Sequence, residues 1–391
     1  MLNMAFVPQV RFMTARILSL TALVLVVSAP AHADAQLQTF LEKALAWLQD
    51  RDHDPAIAAL IQKDGQVAAE AATGHRALGH DELVTLDDRW HIGSDTKAFT
   101  ATLIGTLVDQ RLMSFDDTLE VSLPALATTM HPAYRHITVR QVLSHTAGLP
   151  PLKSPETEFP TAVAVAKTAR GVAAQRAALA RYYLSRPPAS AAGKFEYSNL
   201  GYIIAGAIVE AHTGKTWESS LRERVFEPLG IKDAGFGPPG HSGKYNQPRG
   251  HAEIANTLQP LEPGDPNSDN PAWIGPAGTI NISLRAWALF AQDQLNGALG
   301  HGKLLQQATY RELQTPIADG PALGWGVRLG PDSAPQILAH EGSNGYWFAG
   351  IAVYPEQDTF ILMVTNFGND VARRSIEDLG TGLADRLHLP K

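Results

Sequence analysis

The tightest constraint on the fold is where strand-like patterning falls along the chain. Apolar runs at 56–62 and 67–72 flank Lys63-Asp64-Gly65, and Asp-Gly between two such runs marks a tight hairpin. A short strand is expected at Trp90-His91-Ile92. Strand-like runs then return near the end, at 323–329, 336–340, 346–354 and 359–365, with Pro355-Glu356-Gln357-Asp358 turning between the last two. Helical spacing fills most of the middle. The pattern predicts an α/β (α+β) fold in which the N- and C-terminal segments form one antiparallel sheet flanked by helices, with a mostly helical region inserted. By this reading residues 34–92 and 275–391 make the sheet region and 93–274 the helical region, within one domain.

Helices are expected at 35–50, at 139–145 with Thr138 as N-cap, and as one alanine-rich run over 163–183. Others are expected at 200–212, closed by Gly214, at 217–226, at 285–296 and at 371–387. Residues 235–269, rich in Pro, Gly, Asn and His, read as loop.

The first 33 residues stand apart. Arg11 and Arg16 precede an apolar run at 17–27, followed by Ser28-Ala29-Pro30-Ala31-His32-Ala33. A charged start, a short apolar centre and an A-x-A end predict a signal peptide cleaved after Ala33, hence a periplasmic or secreted protein with no membrane span afterwards. Cleavage would remove two of the 32 basic residues and none of the 39 acidic ones, leaving a net charge of −9. That balance argues against nucleic-acid partners. Absence of cysteine excludes disulfides and thiolate metal sites.

Chemistry concentrates in His91-Ile92-Gly93-Ser94-Asp95-Thr96-Lys97, which leads into an apolar helical run. Positions three apart share a helix face, so Ser94 and Lys97 can meet. A serine hydroxyl needs a base to attack a carbonyl, and a desolvated lysine can serve. N–H groups of the first helical turn would face the developing oxyanion. Tyr197-Ser198-Asn199 opens the helix at 200–212, offering a proton-passing phenol and a carbonyl-binding amide. His340-Glu341-Gly342-Ser343 joins two predicted strands. Other matches fail on their chemistry. Gly235-Phe236-Gly237-Pro238-Pro239-Gly240 has the spacing of a dinucleotide loop, but its prolines remove the N–H groups such a loop needs. Asp265-Pro266-Asn267-Ser268-Asp269 starts like a calcium loop, yet Asn270 and Pro276 stand where glycine and glutamate belong. No cofactor and no metal is expected.

Taken in order, Ser94–Lys97, Tyr197–Asn199 and His340–Gly342 resemble the three motifs of the penicillin-recognising serine hydrolases: Ser-x-x-Lys, Tyr-x-Asn and Lys/His-x-Gly. That family includes class C β-lactamases, DD-peptidases, D-aminopeptidases and related esterases. Flanking stretches are similar too, among them 137–149, 197–202 and Pro228-Leu229-Gly230. The resemblance implies that Ser94 attacks the substrate carbonyl while Lys97 and Tyr197 exchange its proton. It implies that Asn199 holds the acyl side, that His340 tunes the proton network, and that the N–H groups of Ser94 and Ser343 form the oxyanion hole. Glu341 departs from the small or hydroxyl residue common in the middle of the third motif, and it disfavours a substrate carboxylate. The implied activity is hydrolysis of a small-molecule ester, amide or peptide through an acyl-enzyme. Two alternatives stand beside it: a β-lactamase, and a penicillin- or peptidoglycan-binding protein with little turnover.

Overall fold

In the computed structural model, strand β1 (Ala56–Lys63) is buried along its whole length except Lys63, and β11 (Thr359–Thr365) is buried throughout. Continuous apolar strands of this kind need cover on both faces. They lie side by side at the centre of a six-stranded antiparallel sheet of order β2-β1-β11-β10-β9-β8. The others are β2 (Gln66–Gly74), β8 (Gly326–Leu329), β9 (Pro335–Ser343) and β10 (Phe348–Tyr354). Ile57 pairs with Thr365 and Lys63 with Thr359, so both ends of the chain build one sheet, as the sequence predicts. The β1–β2 hairpin turns at Asp64 and Gly65, both at positive φ, the geometry that Asp-Gly supplies. The structure describes residues 34–152, 159–255, 257–317, 321–330 and 333–390; the leader expected at 1–33 lies outside them.

Period-two alternation sorts the two faces. Ile57, Ala59 and Ile61 pack with Leu41 and Leu45 of α1 (Ala35–Asp52) and with Ile376 and Leu383 of the C-terminal helix Asp370–Leu387. Ala58 and Leu60 face the helical region instead. At the centre of that region, α2 (Thr96–Asp109) is buried from Thr96 to Leu107. A helix buried on all sides must be apolar all round, and its few polar side chains must find partners inside. Thr100 Oγ1 does so, donating to the Pro276 carbonyl (2.7 Å) and accepting from Trp217 Nε1 (3.1 Å).

Two expectations are corrected. The run at 163–183 is two helices, Phe159–Ala166 and Val172–Leu184, because the chain turns between them through Gly171 at φ +85°. Alanine periodicity persists across the break, so spacing alone conceals it. Within 235–269, strands β4 (Ala234–Phe236), β5 (His251–Ile254) and β6 (Thr257–Pro260) occur, each too short to show a period. Strand β4 pairs with β7 (Ile280–Ser283), which pairs in turn with β3 (Arg89–His91). This small sheet ends where the Ser-x-x-Lys segment begins.

Candidate active site

After β3 the chain makes a tight turn over Gly93–Asp95 and runs straight into α2, which puts Ser94 at the helix start and Lys97 one turn on. Lys97 is fully buried. Its Nζ contacts Ser94 Oγ at 3.0 Å, Asn199 Oδ1 at 2.9 Å and the Ala277 carbonyl at 2.7 Å. Three acceptors match the three positions around an amine nitrogen. The Ala277 carbonyl comes from the short turn Gly275–Gly278, the same turn that Thr100 grips.

Tyr197 and Asn199 reach the serine from the start of α3 (Asn199–Thr213). Ser198 caps this helix by accepting from Gly201 N and donating to the Pro150 carbonyl (2.6 Å). The Tyr197 hydroxyl donates to Ser94 Oγ at 2.8 Å, and its ring stacks on His145 with centroids 4.5 Å apart. Burial pushes the Tyr197 phenol up to about 12 despite the Ser94 hydrogen bond, which pulls the other way. Asn199 turns Oδ1 to Lys97 and donates from Nδ2 to the Leu152 carbonyl at 3.2 Å.

The end of β9 closes against the serine turn. A Cβ on Gly342 would lie 2.0 Å from the Ile92 carbonyl oxygen and 2.7 Å from Ser94 N. A Cβ on Gly93 would lie 2.4 Å from Ser343 N. The N–H groups of Ser94 and Ser343 are therefore neighbours only because no side chain separates the two strands of backbone. His340 Nδ1 is 2.8 Å from the Glu341 carbonyl and 3.4 Å from Asp95 Oδ1. Burial, and after it any charge on Lys97, pushes its imidazole down to about 3, so it is neutral at working pH. Glu341 lies on the opposite strand face at the rim of the cleft, where burial, then the charge of Glu377, raises its carboxyl against the pull of Arg373.

The sequence reading passed over Asp95, His145 and the Ala277 carbonyl. Asp95 is buried beside the serine, with neither carboxylate oxygen hydrogen-bonded. Burial, then the charge of Glu341, pushes its carboxyl well above the usual range. Its only sequence signal is its place inside Ser-x-x-Lys, and a backbone carbonyl has none. A cleft of about 350 Å³ opens beside the serine, bounded by Phe195, Tyr197, Trp325, Ala339, His340 and Glu341. Among the described residues no group of three His, Asp or Glu is arranged to hold a metal ion, and no helix is long and apolar enough to cross a membrane.

A two-ended antiparallel sheet, with Ser-x-x-Lys starting a buried helix and a glycine strand end against it, defines the class of β-lactamase/transpeptidase-like serine hydrolases. Within that class the chain belongs to the beta-lactamase family, whose model matches residues 41–384. It is a serine hydrolase. Penicillin-binding protein 4 of Amycolatopsis lactamdurans is 28% identical over 336 residues, covering 82% of this chain and 83% of that protein. Protein flp of Staphylococcus aureus (strain MW2) is 22% identical over 90% of this chain, which spans 66% of its length. Among solved structures, SurE aligns with a TM-score of 0.69 at 24% identity, over 91% of this chain and 76% of that one. A class C beta-lactamase from Rhodobacter sphaeroides aligns with a TM-score of 0.67 at 20% identity, over 88% and 99%. These two likenesses establish fold alone.

Proposed function

We propose that Ser94 forms an acyl-enzyme with esters or amides whose acyl part carries no charge, and that water releases the acid. The observation that carries this reading is the environment of Lys97. Two of its hydrogen positions are taken by Asn199 Oδ1 and the Ala277 carbonyl, so the third faces Ser94 Oγ. As the neutral amine, Lys97 aims its lone pair at the serine proton. Ser94 Oγ attacks the carbonyl carbon, its proton passes to Nζ, and the N–H groups of Ser94 and Ser343 receive the oxyanion. The phenol of Tyr197 stays protonated, so it acts as an acid. It hands a proton to the departing alcohol or amine and recovers one from the Lys97 ammonium. A water molecule then attacks the acyl carbon, its proton returns through the same pair to Ser94 Oγ, and the acid leaves.

The cleft supports an uncharged substrate. Its described lining residues include no Lys or Arg, His340 is neutral, and Phe195 and Trp325 supply aromatic surface. A penicillin carboxylate would find no cationic side chain among those residues. The test compares p-nitrophenyl butyrate, a D-amino acid p-nitroanilide and nitrocefin on the purified protein and on Ser94→Ala. Turnover and fluorophosphonate labelling should vanish in the variant, and the neutral ester should outrun nitrocefin in the wild type. Labelling that survives in Ser94→Ala would overturn the nucleophile, and nitrocefin turned over faster than every neutral ester would overturn the substrate class.

A further inference from the structure

The segment 265–269, which lacks the glycine and glutamate of a calcium loop, delivers a carboxylate to the back of the proposed oxyanion site. Asp269 follows a turn in which Asp265 Oδ1 accepts from Asn267 N (2.8 Å), and its side chain is 6% exposed. Its Oδ1 gathers three contacts, one from its own neighbour and two from separate segments of the chain. The first is its neighbour Asn270 N at 2.7 Å. Asn344 Nδ2 donates to it, also at 2.7 Å, and His91 Nε2 lies 3.1 Å away in a polar contact that is not aligned as a hydrogen bond. His91 is fully buried, and its Nδ1 accepts the Gly93 N–H at 3.1 Å. A neutral imidazole with a filled Nδ1 lone pair carries its proton on Nε2, on the nitrogen next to Asp269. Asn344 is held just as firmly, since its Oδ1 accepts from Tyr346 N at 3.0 Å.

We infer that Asp269 is a positioning residue that clamps the two halves of the oxyanion hole, reaching the Gly93–Ser94 turn through His91 and the Ser343 turn through Asn344. The inference rests on the proposed role of the Ser94 and Ser343 N–H groups. Ser94 and Ser343 belong to separate elements, and nothing covalent fixes the gap between their N–H groups. A single carboxylate, hydrogen-bonded to one side and packed against the imidazole of the other, restrains that gap without touching the substrate. Asp269 Oδ2 is buried with no hydrogen bond, an arrangement that costs stability. A carboxylate retained at such a cost is better explained by its hold on the two turns than by stability.

Oxyanion contacts tighten only in the transition state, so a loosened clamp should lower kcat rather than raise KM. With p-nitrophenyl butyrate and active sites counted by fluorophosphonate titration, Asp269→Ala, which removes the Oδ1 acceptor, should lower kcat about 10- to 100-fold and leave KM within about twofold. The inhibition constant of a phenylboronic acid, whose adduct mimics the tetrahedral state, should rise by a similar factor. Asn344→Ala should lower kcat about tenfold, and the double variant should be no worse than Asp269→Ala alone, because both cut one link. Should Asp269→Ala not accumulate as folded protein, Asn344→Ala decides. Wild-type kcat and unchanged boronate inhibition in the folded variants would overturn the clamp while Ser94→Ala stays inactive. Turnover by Ser94→Ala would instead overturn the proposed function itself.

Discussion

Gly342→Ala probes the close approach of the last strand to the serine turn. The φ angle of Gly342 is not among the positive ones, so alanine meets no backbone penalty and the effect isolates contact. The added methyl would sit 2.0 Å from the Ile92 carbonyl oxygen, about 1.4 Å short of the 3.4 Å at which ordinary contact begins. It would also stand 2.7 Å from Ser94 N and 2.9 Å from Asp95 N, all backbone atoms of a turn that cannot swing aside like a side chain. The strand and turn must therefore part by about 1 Å, which for reacting groups is worth about 100-fold in rate. Loss of one oxyanion donor is worth about 10²–10³-fold, or about 3–4 kcal/mol of transition-state stabilisation, so kcat for p-nitrophenyl butyrate should fall by at least two orders of magnitude. Overpacking should also lower stability by about 1–3 kcal/mol, read by urea denaturation. A variant that keeps kcat within about threefold of wild type would show that the Ser94 and Ser343 N–H groups need not be so close, and the oxyanion assignment would fail with it.

Tyr197→Phe removes the hydroxyl that donates to Ser94 Oγ but keeps the ring on His145, so acylation should slow by about 10²–10⁴-fold in stopped-flow assays while the melting temperature holds. Arg176 is fully buried and bonded to Glu210, Glu218 and the Ala272 and Trp273 carbonyls; Arg176→Ala should cost about 3–5 kcal/mol in urea denaturation, and Arg176→Met should not rescue it, because either leaves buried carboxylates unpaired. Burial, then the Asp52 charge, raises the Asp54 carboxyl from 3.8 to about 7. A raised folded value means that Asp54 contributes stability fully below the unfolded pKa of 3.8 and loses it as pH climbs through about 7, so Asp54→Asn should stabilise at pH 8, by up to about 4 kcal/mol, and change little at pH 4. Denaturation curves that shift equally at both pH values would contradict that origin.

What the sequence made legible was local. Ser94 and Lys97 sit one helical turn apart, so their meeting follows from spacing, and the Asp-Gly hairpin and the alternation that turns Glu341 away from His340 follow in the same way. Strands of seven to nine residues near both ends carried enough pattern to predict one shared sheet. The short strands β4 to β6 carried none, and the alanine run hid the turn at Gly171 because alanine suits either side of a break. The partners of the reactive groups were hidden for another reason. Ala277 is 180 positions from the lysine it binds, and His91, Asp269 and Asn344 meet only after three segments have packed. No periodicity records such meetings.

The pairing of β1 with β11 also governs the order in which the chain can fold. Ile57 must wait for Thr365, so on the ribosome the sheet cannot be completed until nearly the whole polypeptide has been made. Until then the β1–β2 hairpin lacks the partner that covers its inner edge, and a bare apolar edge invites pairing with another chain. Helical segments close mainly local contacts and can collapse early; Thr365 bonds to Ala56 across 309 positions, a non-local closure of the kind that slows folding. Truncation before Thr359 removes β11, leaving the two halves of the sheet nothing to share.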